Sequence, residues 1–195
     1  MNDLNTQITL NKSTRTEGYL FLFGFMLTIP AANWLIGNAG TLCLEKGPCL
    51  IPVAPGLMAP SGVLMIGLAL VLRDIVQRRL GTFFAIGAII SGAALSSLLA
   101  EPSLVFASGV AFLLSELADF AVYTPLQRRR LVLAVFASGI IGLIIDSAFF
   151  LYLAFGNLDY ISGQIVGKSW MIILALPAII WIRRREERLG IQPAE

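Results

Sequence analysis

The feature that most constrains this chain is a series of long, continuously apolar runs, separated by short gaps that hold most of the charges. A helix needs about 20 mostly apolar residues to cross a bilayer, and the runs approach that length. Charged residues make up 13% of the chain, against about 25% in a soluble domain. Because the runs are continuous and not alternating, they predict membrane helices and not the strands of a barrel.

We therefore predict an all-α membrane protein, a bundle of six transmembrane helices with no separate soluble domain. The helices are expected at residues 19–36, 61–76, 82–99, 103–123, 131–155 and 160–182. The bundle would occupy residues 18–183, between a loose polar tail at 1–17 and a basic tail at 184–195. The first apolar run is too long for a typical signal-peptide core, so we keep it as a helix of the mature protein.

The positions of the basic residues predict how the bundle is oriented. Twelve of the 14 lysines and arginines fall at one end of a six-helix arrangement, namely Lys12, Arg15, Arg73, Arg78, Arg79, Arg128, Arg129, Arg130, Arg183, Arg184, Arg185 and Arg188. Because loops rich in these residues stay in the cytoplasm, both termini are predicted to be cytoplasmic. We expect a multi-pass protein of a bacterial inner membrane. The basic residues lie at helix ends beside lipid, so nucleic-acid binding is not predicted.

Two cysteines lie in the same predicted outer loop, at positions 43 and 49. In the predicted orientation this loop faces the oxidising side of the membrane, so a disulfide between Cys43 and Cys49 is one possibility and two free thiols are the other. The chain has no histidine and no ligand cluster near the cysteines. We therefore predict neither a metal site nor a cofactor.

The segment after Cys49 is apolar but rich in proline, at Pro52, Pro55 and Pro60. Prolines at this density forbid a regular helix. In one interpretation, residues 48–60 re-enter the outer leaflet and line a cavity, and the helix that starts at Ser61 points its positive end into it. In the other, the segment is a loop on the outer surface.

The candidate functional residues are the ionisable side chains inside the predicted helices, because unpaired charges there are costly. Glu116 and Asp119 lie three residues apart on one face of the fourth helix. Asp146 in the fifth helix and Lys168 in the sixth lie at matching depths, about 12 to 14 Å from the outer ends of their helices. They can form an ion pair, either at a ligand site or as a purely structural bridge. We expect Glu116, Asp146 and Lys168 to converge on one pocket between these three helices.

The charge balance of these residues and the neutral side chains near them both indicate what kind of ligand could bind. Three carboxylates against one ammonium suggest a cationic ligand, a proton, or a ligand with several N–H donors. Gln164 and Asn33 offer further hydrogen bonds. Trp170 in the sixth helix would either stack on a flat ligand or pack against a neighbouring helix.

Two further features concern the ends and faces of helices. Arg73 and Asp74 end the second predicted helix, where they form either a cytoplasmic gate or simply a charged helix end at the interface. Gly163 and Gly167 are four residues apart in the sixth helix and give a small face for close packing.

Three patches in the last three helices resemble the vitamin uptake transporter (VUT) family of queuosine-precursor transporters. They are LSELAD at 114–119, IDS at 145–147 and GQIVGK at 163–168. The resemblance implies import of 7-deazaguanine bases, which are used to make queuosine in tRNA. The positions to which it assigns substrate binding are Glu116, Asp119, Asp146, Gln164 and Lys168.

The implied substrate fits the chemistry of these side chains. A carboxylate such as Glu116 or Asp146 would accept the N1–H and the exocyclic amine of the base. Lys168 or Gln164 would donate to the ring carbonyl, and Trp170 or a phenylalanine would stack on the ring. One of the carboxylates could couple a proton to transport.

Three other functions stay open at this stage. One is the substrate-binding subunit of an energy-coupling-factor vitamin transporter, which needs ATPase partners. Another is an intramembrane enzyme, although the lack of histidine removes Ser–His and Cys–His catalysis, and an aspartyl mechanism through Asp119 and Asp146 has no supporting motif. A third is an assembly protein without a ligand. We predict no catalytic residues and leave open whether the chain forms a homo-oligomer.

Overall fold

The computed structural model describes residues 2–45, 47–100 and 104–194, which form six helices and one small sheet. The helices are α1 (Asn2–Asn38), α2 (Val63–Leu80), α3 (Thr82–Leu99), α4 (Val105–Leu126), α5 (Leu131–Phe155) and α6 (Ile161–Leu189). The strands β1 (Leu42–Cys43), β2 (Cys49–Ala54) and β3 (Leu57–Pro60) pair antiparallel between α1 and α2. The bounds predicted for the third and fifth helices agree with the structure.

Successive helices alternate in direction, so the two ends of the bundle differ. At the end that holds residues 39–62, which we call the sheet end, Gly62 lies so close to α1 that an added Cβ would be 2.7 Å from the Ala32 carbonyl oxygen. At the opposite end, which we call the arginine end, Arg78 of α2 donates to the backbone carbonyl of Gln127 after α4. Which end faces the cytoplasm stays a prediction.

Five of the described helices are long and apolar enough to cross a membrane: residues 13–38 of α1, and α3, α4, α5 and α6. The second helix differs because four charged residues, Arg73, Asp74, Arg78 and Arg79, occupy its second half. All four are buried, since α2 lies inside the bundle and contacts each of the other helices. The structure is therefore mainly helical, as predicted for a membrane protein, while the number of crossings stays a prediction.

Helices continue into both segments that we expected to be tails. The first helix begins at Asn2, within the segment expected to be loose, and α6 continues to Leu189, beyond the predicted limit of 183. Glu17 of α1 and Glu186 of α6 both pair with Arg79 of α2, at 3.4 and 2.7 Å, and so connect α1 and α6 to α2 at the arginine end.

The proline-rich segment contains no regular helix, as predicted, and forms a β-hairpin from β2 and β3. Its turn contains Gly56 at a φ of +73°, a conformation that glycine adopts without steric cost. The hairpin lies on α6 where Gly163 and Gly167 leave room. A Cβ at Gly163 would be 2.0 Å from the Met58 carbonyl oxygen, and one at Gly167 would be 3.0 Å from Val53. The small face of α6 thus receives the hairpin as well as α2.

The sheet also brings the two cysteines together. Cys43 of β1 is directly opposite Cys49 of β2, and the two are joined by a disulfide in the structure. Strands β1 and β2 are paired at only two positions, Cys43 with Cys49 and Leu42 with Leu50. The disulfide stabilises this short pairing.

Candidate functional site: a polar cavity and a buried charge cluster

A cavity lies in the sheet half of the bundle. The space that the centres of water molecules can occupy in it is about 70 Å³. This is room for roughly five waters. The start of α2, at Gly62 and Val63, and Pro60 of the hairpin form one wall. The polar side chains of the wall are Asn33, Ser96, Ser108, Asp146, Gln164 and Lys168, and the aromatic ones are Phe112 and Phe150. Side chains from α1, α3, α4, α5 and α6 thus face one space.

The chemical centre of the cavity is Lys168, which is only 1% exposed. Its ammonium lies 2.5 Å from Asp146 Oδ2, 2.8 Å from Ser147 Oγ and 2.6 Å from Gln164 Oε1. These three acceptors use all three donors of the lysine. The second carboxylate oxygen of Asp146 and the amide N–H groups of Gln164 are therefore the groups best placed to meet a ligand.

Close packing of α2 on α6 helps to position Lys168 and Gln164. A Cβ at Gly67 of α2 would be 2.8 Å from the backbone oxygen of Lys168, so a larger residue would separate the two helices. Gln164 and Lys168 are four residues apart and share one face of α6. The sequence therefore fixes both the approach of the helices and the direction of the polar side chains.

Asn33 lies on the α1 side of the cavity. Its amide nitrogen donates to the Ile29 carbonyl at 3.0 Å, so its oxygen is available as an acceptor. We did not single out Ser108 and Phe112 from the sequence. A signal was present, because they lie eight and four residues before Glu116 and so share its side of α4.

Glu116 and Asp119 do not line the cavity, and this corrects the expected convergence with Asp146 and Lys168. Both instead bind Arg73 of α2. Its Nε donates to Glu116 Oε2 at 2.9 Å, and its Nη2 donates to Asp119 Oδ1.

Arg73 also contacts acceptors on its own helix. Its Nη1 lies 2.9 Å from Asp74 Oδ1 and donates to Gln77 Oε1 at 3.2 Å. We call Arg73, Asp74, Glu116 and Asp119 the Arg73 cluster; each of these side chains is at most 1% exposed. Arg73 and Asp74 are therefore not a charged helix end at the interface. The helix continues to Leu80 inside the bundle, and a buried guanidinium requires carboxylate partners.

Trp170 also lies outside the cavity, which corrects its expected role in stacking on a ligand. The side chain is 47% exposed, and its indole N–H donates to the Val53 carbonyl at 2.9 Å. It therefore attaches strand β2 to α6.

A third set of charges closes the arginine end. Arg78 donates to both carboxylate oxygens of Glu186, at 2.9 and 3.0 Å, and Arg79 donates to the same carboxylate at 2.7 Å. Glu186 is only 3% exposed. The cavity is thus separated from the arginine end by the Arg73 cluster and then by this pairing of α2 with α6.

Fold and site together define a multi-pass helical membrane protein with a small polar cavity and buried charges among its helices. Residues 62–182 match a family model described as "Putative vitamin uptake transporter". Because the match covers more than half of the chain, the chain belongs to the vitamin uptake transporter family, which confirms the resemblance found in the sequence. The matched range contains Lys168, Asp146 and the whole Arg73 cluster. Neither a curated protein nor a solved structure matches the chain.

Proposed function

We propose that the chain imports a 7-deazaguanine base, a precursor of queuosine, across a bacterial inner membrane. Membership of the family supports small-molecule uptake. The observation that carries the choice of substrate is the group formed by Asp146, Gln164 and Lys168 in a cavity that Phe112 and Phe150 also line.

The hydrogen-bonding groups of this site suit one edge of such a base. Asp146 gives one oxygen to Lys168, and its other oxygen would accept from the N1–H or the exocyclic amine of the base. The amide of Gln164 accepts from Lys168 through its oxygen, so its N–H groups would donate to the ring carbonyl. The Asn33 oxygen would accept from another N–H group of the ligand.

The shape and apolar lining of the cavity also suit a flat ring. Phe112 and Phe150 offer aromatic surface for stacking. The volume of about five waters is similar to that of a small fused bicyclic ring. In the predicted orientation the sheet end faces outward, so the base would reach the cavity from the periplasm while the pairing of Glu186 with Arg78 keeps the arginine end closed.

The test is rescue of queuosine in tRNA. The chain is expressed in a bacterium that can neither make nor import the precursor, deazaguanine bases are supplied, and tRNA is assayed for queuosine. Wild type should restore queuosine, and Asp146→Asn should not. Asp159→Asn, which makes the same change at an exposed position of the α5–α6 loop, is the matched control and should behave as wild type.

Two results would contradict the proposal. One is the absence of rescue by a wild-type chain that is present in the membrane, and the other is full rescue by Asp146→Asn. Uptake by the purified chain alone in lipid vesicles would further separate a self-sufficient transporter from a subunit that requires an ATPase.

A further inference from the structure

The two buried charge groups differ in their charge balance. At the cavity, Asp146 is matched by Lys168, one charge against one. In the Arg73 cluster, three carboxyl groups face one guanidinium. If all three were ionised, three negative charges would stand against one positive charge in a site closed to water. Such a charge excess is unfavourable within a membrane protein, and bound protons are the simplest way to remove it.

The geometry indicates where a proton is held. The carboxyl groups of Asp74 and Asp119 are held next to each other, because both contact the guanidinium of Arg73, Asp74 at Nη1 and Asp119 at Nη2. Two neighbouring ionised carboxylates repel each other and have no donor between them, so a proton on one of them removes the repulsion. Within the described residues, Asp74 Oδ1 and Asp119 Oδ2 are also buried oxygens that accept no well-aligned hydrogen bond from an N–H or hydroxyl donor. A proton between the two carboxyl groups gives each of them a partner.

We propose that the Asp74–Asp119 pair is the proton-coupling site of this transporter and that it is separate from the substrate cavity. The proposal rests on the proposed function, because coupling has meaning only where a substrate moves. The pair takes a proton from water on one side of the membrane and releases it to water on the other. No other bond is made or broken in the cycle.

The pair is linked to the cavity through one turn of α5. Gly142 packs directly on Asp119, where an added Cβ would be 3.1 Å from the Asp119 Cβ. Asp146 follows Gly142 by four residues, so it lies one turn further along the same helix. A change in the charge of the pair can therefore shift Asp146, the residue that we assign to the substrate.

The charged and titratable groups around the pair come from the helices packed on it. They are Arg73 of α2 and Glu116 and Tyr123 of α4, with Arg78 of α2 next to Tyr123 and Asp146 of α5 next to Glu116. The hydroxyl of Ser138 donates to Asp74 Oδ2 at 3.1 Å. Tyr123 is fully buried, its ring lies 5.8 Å from the Arg73 guanidinium carbon, and its hydroxyl has no hydrogen-bond partner among the described residues. A buried hydroxyl that lacks a partner in the described part of the chain and lies next to the Arg73 cluster is a suitable relay for the proton.

The first test uses the purified chain in vesicles with a radiolabelled 7-deazaguanine base and a pH-sensitive dye. A gradient of one pH unit should drive up to about tenfold accumulation if one proton moves with each base. Asp119→Asn keeps a hydrogen-bonding side chain but cannot release a proton. It should exchange labelled for unlabelled base and yet reach only equal concentrations on both sides.

Asp74→Asn should show the same separation of exchange from accumulation, and Asp159→Asn should show none. Accumulation by Asp119→Asn equal to that of wild type would overturn the proposal. Accumulation by wild type that follows a sodium gradient and not a pH gradient would also overturn it.

A second test does not depend on the substrate. Infrared spectra of the purified wild-type chain at neutral pH should show a protonated carboxyl group, and this signal should be lost in Asp119→Asn but kept in Asp146→Asn. Absence of the signal in wild type, or its loss only in Glu116→Gln, would refute the assignment. If no base is transported but the infrared result holds, the proposed substrate is wrong while the proton site stands.

Discussion

The substitution Gly163→Ala tests whether the hairpin must lie directly on α6. An added Cβ would be 2.0 Å from the carbonyl oxygen of Met58 and 2.8 Å from its carbonyl carbon, and both atoms belong to the backbone. Restoring an ordinary contact of 3.4 Å to the oxygen requires the two segments to separate by 1.4 Å, the difference between the two distances. No side-chain rotation can relieve this contact, so strand β3 has to move.

The expected cost follows from the overpacking. Forcing an extra methyl group into a closely packed site costs about 1–3 kcal/mol, which corresponds to a fall in melting temperature of roughly 2–12 °C for a chain of this size. Strand β3 ends at Pro60, which lines the cavity. Binding of a 7-deazaguanine base should therefore weaken together with stability.

The assay is thermal unfolding of the detergent-solubilised protein, followed by binding of the base. Gly87→Ala is the matched control, because a Cβ at Gly87 of α3 would have no neighbour within 4 Å. It should melt at or above the wild-type temperature and bind normally. Wild-type melting and binding by Gly163→Ala would refute the proposed packing of the hairpin on α6.

Two further predictions concern the polar side chains of α6. Lys168→Met leaves the Asp146 charge buried without its partner and should cost about 3–5 kcal/mol of stability, whereas adding Asp146→Asn should recover most of the loss without restoring uptake. Recovery of uptake as well, measured beside thermal unfolding, would mean that the ion pair is only structural. Trp170→Phe removes the N–H that binds the Val53 carbonyl and should cost about 1 kcal/mol. An unchanged melting temperature would contradict that role.

Much of the helical framework follows from the sequence. The apolar runs of α3 and α5 predict the observed bounds because a charged or glycine-containing gap interrupts each run at both ends. Matching depth also places Asp146 opposite Lys168, since distance along a helix is fixed at about 1.5 Å per residue. These inferences depend only on the length and composition of single segments.

The position of Arg73 could not be derived in this way. Charges in the second half of α2 look like a helix end at the interface, whereas in the structure Arg73 is paired with two carboxylates of the neighbouring helix α4. Counting residues gives the depth of Glu116 but not the helix that it faces. The error was to assign it to the nearest predicted ammonium, Lys168, when a guanidinium on another helix was available.

The error for Trp170 was of a different kind. Each residue turns an α-helix by about 100°, so Trp170 lies about 200° around α6 from Lys168. The two side chains therefore point to nearly opposite sides. Helical geometry alone argued against a shared site, whereas the β-hairpin that receives the indole N–H could not be foreseen from a segment read only as proline-rich.

The central claim is that Asp146, held by Lys168 inside the cavity, binds the N–H edge of a flat base. The most direct measurement is equilibrium binding of a 7-deazaguanine base to the purified chain, beside an analogue that lacks the exocyclic amine. We predict tighter binding of the base than of the analogue by wild type, and loss of that difference in Asp146→Asn. Equal affinities for both compounds in wild type, or an unchanged preference in Asp146→Asn, would contradict the claim.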